Sequence, residues 1–303
     1  MRYEMRHLRA FITVAESLNF SRAAERLGTS QPALSRVIGE LEQALGVRLF
    51  ERTTRSVRLT EAGEVFLPET RATLRQAGHA EALAKQAAAG ISGTIRIAYM
   101  DFAINGRLPE LLKLFAAQHP DIRLDLRFCP TTVQQKALLE GSVDVGFLIG
   151  RLESDRIENY RFHEERYVVL LPSTHRLAHV RELELEALAN EPFVMGSAEF
   201  WTAHRERVFL LCHQAGFFPE IVQEPSTSEG VFGLVAAGAG VSVYAECARN
   251  LQRRGLVIQN LANLNQTIPT YAAWDRRLSA PAVRRFVDFL KQVWGRPGAA
   301  DGS

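Results

Sequence analysis

Apolar residues recur at helical spacing through the first part of the chain. Leu8, Phe11, Ile12, Ala15 and Leu18 fall at three- and four-residue steps and predict one helix with one buried face. A shorter helix follows from Ser21, whose hydroxyl can cap it, with Phe20 ahead of it as a hydrophobic staple. Gly28 suits the left-handed position that ends such a helix. Ser30 can cap a third helix, and Pro32 sits in its first turn, where a missing N–H costs little. Leu34, Ile38, Leu41 and Leu45 form its buried stripe, which leaves Gln31, Pro32, Ser35, Arg36 and Gly39 on the opposite side. That side offers donors to base edges and phosphates. A basic hairpin, Arg52-Thr53-Thr54-Arg55, comes next. Two short helices, a tight turn, a third helix with a polar face and a hairpin make a winged helix-turn-helix, a device for placing one helix in the DNA major groove. The alternative is a merely solvated helix face. The short cap-to-cap spacing and the basic hairpin favour DNA.

From Glu61 to Ala89 the pattern predicts one long helix. Thr60 can cap it, and Glu61 and Glu64 suit its positive end. Leu67, Leu74, Ala77, Ala80, Ala84 and Ala87 mark a narrow apolar strip, the pattern of a partner surface more than of a monomer core. Pro68 should kink this helix, and Gly78 is a softer point. Gly90 to Gly93 then reads as a linker.

Beyond Thr94 strands alternate with helices. Strands are predicted at 95–99, 122–128 and 143–149, with helices at 108–117 and 133–140 between them, so a parallel sheet covered on both faces is expected. A second set comprises strands at 167–171, 220–223 and 241–244 and helices at 202–215 and 229–237. A strand at 268–274 and a helix at 282–294 return to the first set. Two α/β lobes joined by crossing strands enclose a cleft suited to a small ligand. The domains expected are 1–60, a linker helix and hinge at 61–92, and a ligand domain at 93–303. Within the last, lobe I is 93–164 with 266–303, and lobe II is 165–265; residues 295–303 read as a flexible tail.

Charge sharpens this picture. Residues 1–60 hold ten arginines and six glutamates with no lysine, a net of +4, whereas the whole chain of 303 residues carries only +2. A basic end on a near-neutral protein suits polyanion binding through that end. No signal-peptide core follows the charged first residues, and no run approaches a membrane span, so a cytoplasmic protein with no membrane association is expected. Cys129, Cys212 and Cys247 lack paired spacing and read as small buried residues. Gly238-Ala239-Gly240 follows a helix and reads as a turn, not a nucleotide loop. Ser197, His204 and Asp275 lie in no nucleophile-elbow motif, and His175 and His179 in no metal motif. No enzyme, no cofactor and no metal are expected.

Phe11, Ala23-Ala24, Leu27, Ser30-Gln31-Pro32, Ser35, Leu41-Glu42, Leu45-Gly46, Leu49-Phe50-Glu51-Arg52 and Leu59-Thr60-Glu61-Ala62-Gly63 together resemble the N-terminal signature of the LysR-type transcriptional regulators. The stretches Leu139–Phe147 and Leu234–Val241 resemble that family's effector domains, which look like periplasmic binding proteins. Proline is usual there where this chain has Ala245. The resemblance implies a two-part α/β protein: a winged helix-turn-helix and a two-lobed periplasmic-binding-protein-like effector domain. It implies that Ser30, Gln31, Pro32, Ser35 and Arg36 face DNA, that Arg52 and Thr54 belong to the wing, and that Arg55 reaches the minor groove. It also implies an operator with an interrupted inverted repeat, RNA polymerase as a partner, an antiparallel pairing of linker helices, and a homodimer or homotetramer.

Ligands in open α/β sheets sit beyond the carboxyl ends of strands, where helix N-termini point at them. Those ends supply Asp101, Phe102, Thr131, Thr132 and Ile149, and the opposite lobe supplies Ser197, Phe200, Trp201, His204, Thr227 and Ser228. N–H groups and threonine hydroxyls suit a carboxylate, and the rings suit an aromatic body; Phe200 and Trp201 as plain core is the alternative. The chain most resembles the subgroup controlling aromatic-compound degradation. There a serine matches Phe102 and an arginine often stands at Ile149, so this pocket is less polar, and Asp101 adds a negative charge. The expected function is effector-modulated DNA binding. The alternative is constitutive DNA binding joined to a module for a ligand that is not a carboxylate.

Overall fold

The computed structural model describes residues 3–52, 57–88, 93–180, 183–277 and 280–294. The chain divides into two compact units, 1–89 and 90–303. In the first, α1 (Met5–Ser17), α2 (Phe20–Arg26) and α3 (Gln31–Leu45) lead to a hairpin of β1 (Phe50–Arg52) and β2 (Val57–Leu59), then to α4 (Glu61–Ala88). The apolar spacing puts Leu8, Phe11, Val14, Leu34, Ile38 and Leu41 into one core. The fully buried Phe11 ring stands 5.4 Å from Phe50 and 5.2 Å from Phe66, so hairpin and α4 close over it.

One cap differs from expectation. Asn19, not Ser21, caps α2, its side-chain oxygen accepting from the Arg22 N–H at 3.0 Å. Both residue types can cap, and the earlier start makes Phe20 the first helical residue, turned into the core 5.9 Å from the Phe50 ring, rather than a staple outside the helix. Ser30 caps α3 by accepting from the Ala33 N–H, and Thr60 caps α4 by accepting from the Gly63 N–H at 3.0 Å.

The apolar strip of α4 is not one continuous partner surface. Leu67 and Leu74 are half-buried against the core of their own unit, because α1 already lies against this part of the helix. Ala77 is half-buried and Ala80 and Ala84 are exposed; the side chain of Ala87 lies outside the described residues. The helix runs through Pro68 as one element.

The second unit begins with β3 (Gly93–Tyr99), α5 (Asp101–Asn105), α6 (Leu108–Gln118), β4 (Ile122–Phe128), α7 (Thr131–Leu139) and β5 (Val145–Ile149). β6 (Ile157–Pro172), β7 (Pro192–Val194), α8 (Ala198–Gln214), β8 (Glu220–Gln223), α9 (Ser228–Ala236) and β9 (Ser242–Ala245) follow. β10 (Leu256–Asn260), β11 (Thr267–Asp275) and α10 (Pro281–Trp294) complete it. β4, β3 and β5 are parallel neighbours, as the alternation of strands and helices predicts. Ile95 and Ile97 of β3 face a core shared with α6 and α10, while Ala98 faces the one beneath α7. Gln134, fully buried, donates to the carbonyls of Cys129 and Phe147 at 2.8 and 3.1 Å and fixes the start of α7 against β5.

The two lobes are joined by strands. The first half of β6 pairs antiparallel with β11, and the second half pairs with β9 and β10. The apolar run predicts this strand only from Tyr167 onward, and the first half carries no such run. Residues 158–166 mix Glu158, Arg161, Glu164 and Arg166 with apolar positions, and the ladder to β11 holds them extended. In lobe II, β7 and β8 form a separate parallel pair.

The placement of Leu74 gives a test. Leu74→Asp is expected to destabilise the N-terminal unit itself by about 1–3 kcal/mol, whereas Ala84→Asp stays within about 0.5 kcal/mol. Urea unfolding of the two full-length variants compares them. Equal effects would show that Leu74 does not serve its own core.

Candidate DNA interface and inter-lobe seam

α3 is held at both ends, by Ser30 and by Gly46 in the left-handed conformation at φ 73°. Its outward side exposes Gln31, Pro32 and Arg36, with Ser35 half-buried beside them. The Glu42 carboxylate accepts from the Leu49 and Phe50 N–H groups at 2.8 and 3.1 Å, tying the end of α3 to the hairpin. β1 and β2 pair in register, Glu51 opposite Arg58 and Arg52 opposite Val57. Thr54 and Arg55 lie outside the described residues, as does the side chain of Arg52.

Between the lobes the strand ends deliver their side chains into the opposite core. Met100 after β3, Phe102 in α5 and Ile149 at the end of β5 are lobe I residues, yet all three are buried in the apolar cluster of lobe II. The Phe102 ring centroid is 4.6 Å from Tyr244, 4.8 Å from His204 and 5.3 Å from Trp201. Trp201 is core: it is 3% exposed, and its indole N–H donates to the Ser226 carbonyl at 3.1 Å. Gly196 makes this possible, because a Cβ there would collide with the indole. Phe200 is partly buried against the same cluster. Phe102, Ile149 and Trp201 thus form a packed seam rather than the walls of an open pocket. A ring at 102 and a branched alkyl group at 149 fill space that a serine and an arginine would leave polar.

The polar residues are also drawn together. Asp101 Oδ2 accepts from the Ser228 hydroxyl at 2.8 Å and from the Ser228 N–H at 3.3 Å, so a lobe I carboxylate sits on the N-terminus of α9. Ser228 Oγ is 2.7 Å from the Tyr244 hydroxyl. Burial raises the Asp101 pKa despite the two bonds from Ser228. His204 shares a hydrogen bond between Nε2 and the Val243 carbonyl at 3.1 Å; burial lowers its pKa to about 4, so the ring is neutral and Nε2 carries the proton. Its Nδ1 and the Ser197 hydroxyl are buried without partners among the described residues. The N-terminus of α9 therefore already holds a carboxylate of the chain itself.

Two predicted residues are less engaged. Thr131 directs its hydroxyl to the Met100 sulfur at 3.9 Å, a weak bond. Thr132 is exposed beside Gln135 and Lys136 on α7. Thr227 caps α9, accepting from the Gly230 N–H at 3.2 Å. Two residues of the seam carry no signal in the sequence: Tyr244 stands only as the end of a strand, and Glu165 is hidden in a charged stretch. Glu165 is buried where β6 passes between lobes, beside Cys247, and burial raises its pKa to about 7.

Comparison with known proteins fits this arrangement. The model of bacterial regulatory helix-turn-helix proteins of the lysR family matches residues 5–64, and that of the LysR substrate binding domain matches residues 88–295. The regulator AlsR of Bacillus subtilis (strain 168) is 33% identical over 284 residues, covering 94% of each chain. The Hca operon transcriptional activator HcaR of Escherichia coli (strain K12) is 33% identical over 289 residues, covering 95% of this chain and 97% of its own. A crystal structure of full-length CbnR complexed with its target DNA superposes with a TM-score of 0.75 at 27% identity, over 95% of this chain and 99% of that one.

Glu165 gives the seam a pH signature. Its pKa is raised on folding, so its contribution favours the folded state at low pH and is lost as pH rises through about 7. Glu165→Gln is expected to gain about 2–3 kcal/mol over wild type between pH 4.5 and pH 8. Unfolding at both pH values measures it. A difference between variant and wild type that does not change with pH would show that Glu165 is not buried against its charge.

Proposed function

Because the chain belongs to the LysR-type transcriptional regulators, a family of DNA-binding proteins with an effector domain, we propose that its DNA contact is set by a small organic acid, aromatic in body, bound between the two lobes. The observation that carries the DNA half is the capped α3 with Gln31, Pro32 and Arg36 exposed on one side. Arg36 reads base edges in the major groove, and Arg52, Thr54 and Arg55 of the wing meet backbone or minor groove. The operator is an interrupted inverted repeat read by a dimer or tetramer, and RNA polymerase is the further partner. For the effector half, the ends of β3 and β5 and the start of α8 converge on one seam, lined by Phe102, Ile149, Phe200 and Trp201 with Thr131, Ser197 and His204 near it. Binding there favours one lobe arrangement over another, and a coupling of about 1–3 kcal/mol is enough to switch DNA affinity.

One observation favours a second reading. Asp101 and Phe102 already fill the α9 end of the seam with a carboxylate and a ring. On that reading DNA binding is constitutive and the ligand is not an acid.

Fluorescence anisotropy with a duplex carrying the interrupted repeat, and with a random duplex, separates the readings. Arg36→Ala is expected to weaken specific binding by about 1–3 kcal/mol and random binding less. At least one acid in a panel of small organic acids should change wild-type affinity about 5- to 150-fold. No change with any acid would favour constitutive binding, and equal losses on both duplexes would remove Arg36 from base reading.

A further inference from the structure

We propose that the acidic group of the effector is held by Arg207 of lobe II against the strand end at Gly150 of lobe I, and not by the N-terminus of α9. The proposal rests on the reading that an organic acid binds between the lobes.

Arg207 lies on α8, three residues after His204, and is half-buried. Its Nη2 is 3.2 Å from the point where a Cβ on Gly150 would stand. Gly150 follows β5 directly with φ 77°, a conformation that side chains rarely adopt, so the strand end is bare where the guanidinium arrives. The neighbours on either side belong to the seam: Ile149 precedes Gly150, and Tyr167, whose phenol pairs with Arg207, is buried in the same apolar cluster. Burial pushes the Tyr167 phenol up to about 12, so it is neutral and cannot balance the charge. Among the described residues no carboxylate forms an ion pair with Arg207. Arg205, two residues earlier, is fully engaged by contrast: it meets Glu224 at 2.7 Å and the Gly196 carbonyl at 2.9 Å.

A half-buried guanidinium facing a neutral phenol keeps donors to spare, arranged in the planar fork that fits a carboxylate with two parallel bonds. The N-terminus of α9 is the wrong place for an acid. There Asp101 already takes the Ser228 hydroxyl and N–H, and its charge repels a second anion. The seam is therefore polarised, with its carboxylate at α9 and its unbalanced cation at Gly150. An acid with an apolar body aligns with this in one direction, its carboxylate on Arg207 and its body along Ile149. The effector class is thus a monocarboxylic acid, and the uncharged amide of the same acid is a poor ligand.

Isothermal titration calorimetry of the full-length protein tests this with benzoate, phenylacetate, salicylate and hexanoate, each beside its amide. The tightest acid is expected to lose about tenfold or more in affinity with Arg207→Met, to lose less with Arg207→Lys, and to bind as well or better with Asp101→Asn. Arg207→Lys keeps the charge and the stem, and thermal unfolding of Arg207→Met at the wild-type midpoint separates a loss of affinity from a folding defect. Affinity within about twofold of wild type in Arg207→Met would overturn the assignment while leaving the acid-effector reading standing. Loss in Asp101→Asn equal to that in Arg207→Met would place the acid at α9 and overturn it as well. No binding of any of the four acids to wild type would overturn both.

Discussion

The insertion of Phe102 into the core of the opposite lobe is the contact on which the ligand domain depends. Its ring is fully buried against Tyr244, His204 and Trp201. Burying a phenylalanine contributes about 1.5–3 kcal/mol, and each well-placed ring pair adds about 0.5–1.5 kcal/mol. Asp101, the residue before it, carries the polar counterpart, bonded to Ser228 and through it to Tyr244. One turn of the short helix α5 therefore brings an apolar anchor and a hydrogen-bonded latch to the same seam. A half-buried carboxylate without those donors would lose solvation with nothing in return, so the ring and the latch stand together.

This seam limits how a ligand can act. A small molecule that enters must replace contacts the chain makes with itself, and it shifts the lobes only by the difference between the two sets of contacts. β6 and β11 are the strands that span the join, so any change in lobe angle passes along them. Glu165 and Cys247 lie buried at that crossing, and the carboxyl there titrates near neutral pH. The DNA-reading unit has a different logic. Its helix α3 is fixed locally, by Ser30, Gly46 and Glu42.

The DNA-binding half was legible because its signals are local. Caps, a left-handed glycine and a stripe of apolar residues sit within a few positions of one another, and the helices differ from expectation where Asn19 and Ser21 compete for one cap. The parallel strands of lobe I were legible for the same reason, by their apolar runs. The first half of β6 was not, since its charged residues are held by a partner strand distant in sequence. At the seam, the pattern points to segments that the structure packs together, but not to how they pack. That Asp101 would reach Ser228, 127 positions away, is a tertiary fact with no periodic signature. Arg207 was invisible for a related reason: on a helix of mixed character, only the bare backbone at Gly150 marks it out from its neighbours.

The most direct measurement is amide hydrogen exchange at the start of α9, compared between wild type and Asp101→Ala in the full-length protein. If a lobe I carboxylate latches the lobes through Ser228, removing it should speed exchange of the Ser228 amide and of β9 around Tyr244, while α10, packed in the lobe I core, keeps its wild-type rates. Unchanged exchange at Ser228 and β9 would contradict the account, because the Asp101 latch beside Phe102 would then do nothing to hold the lobes together.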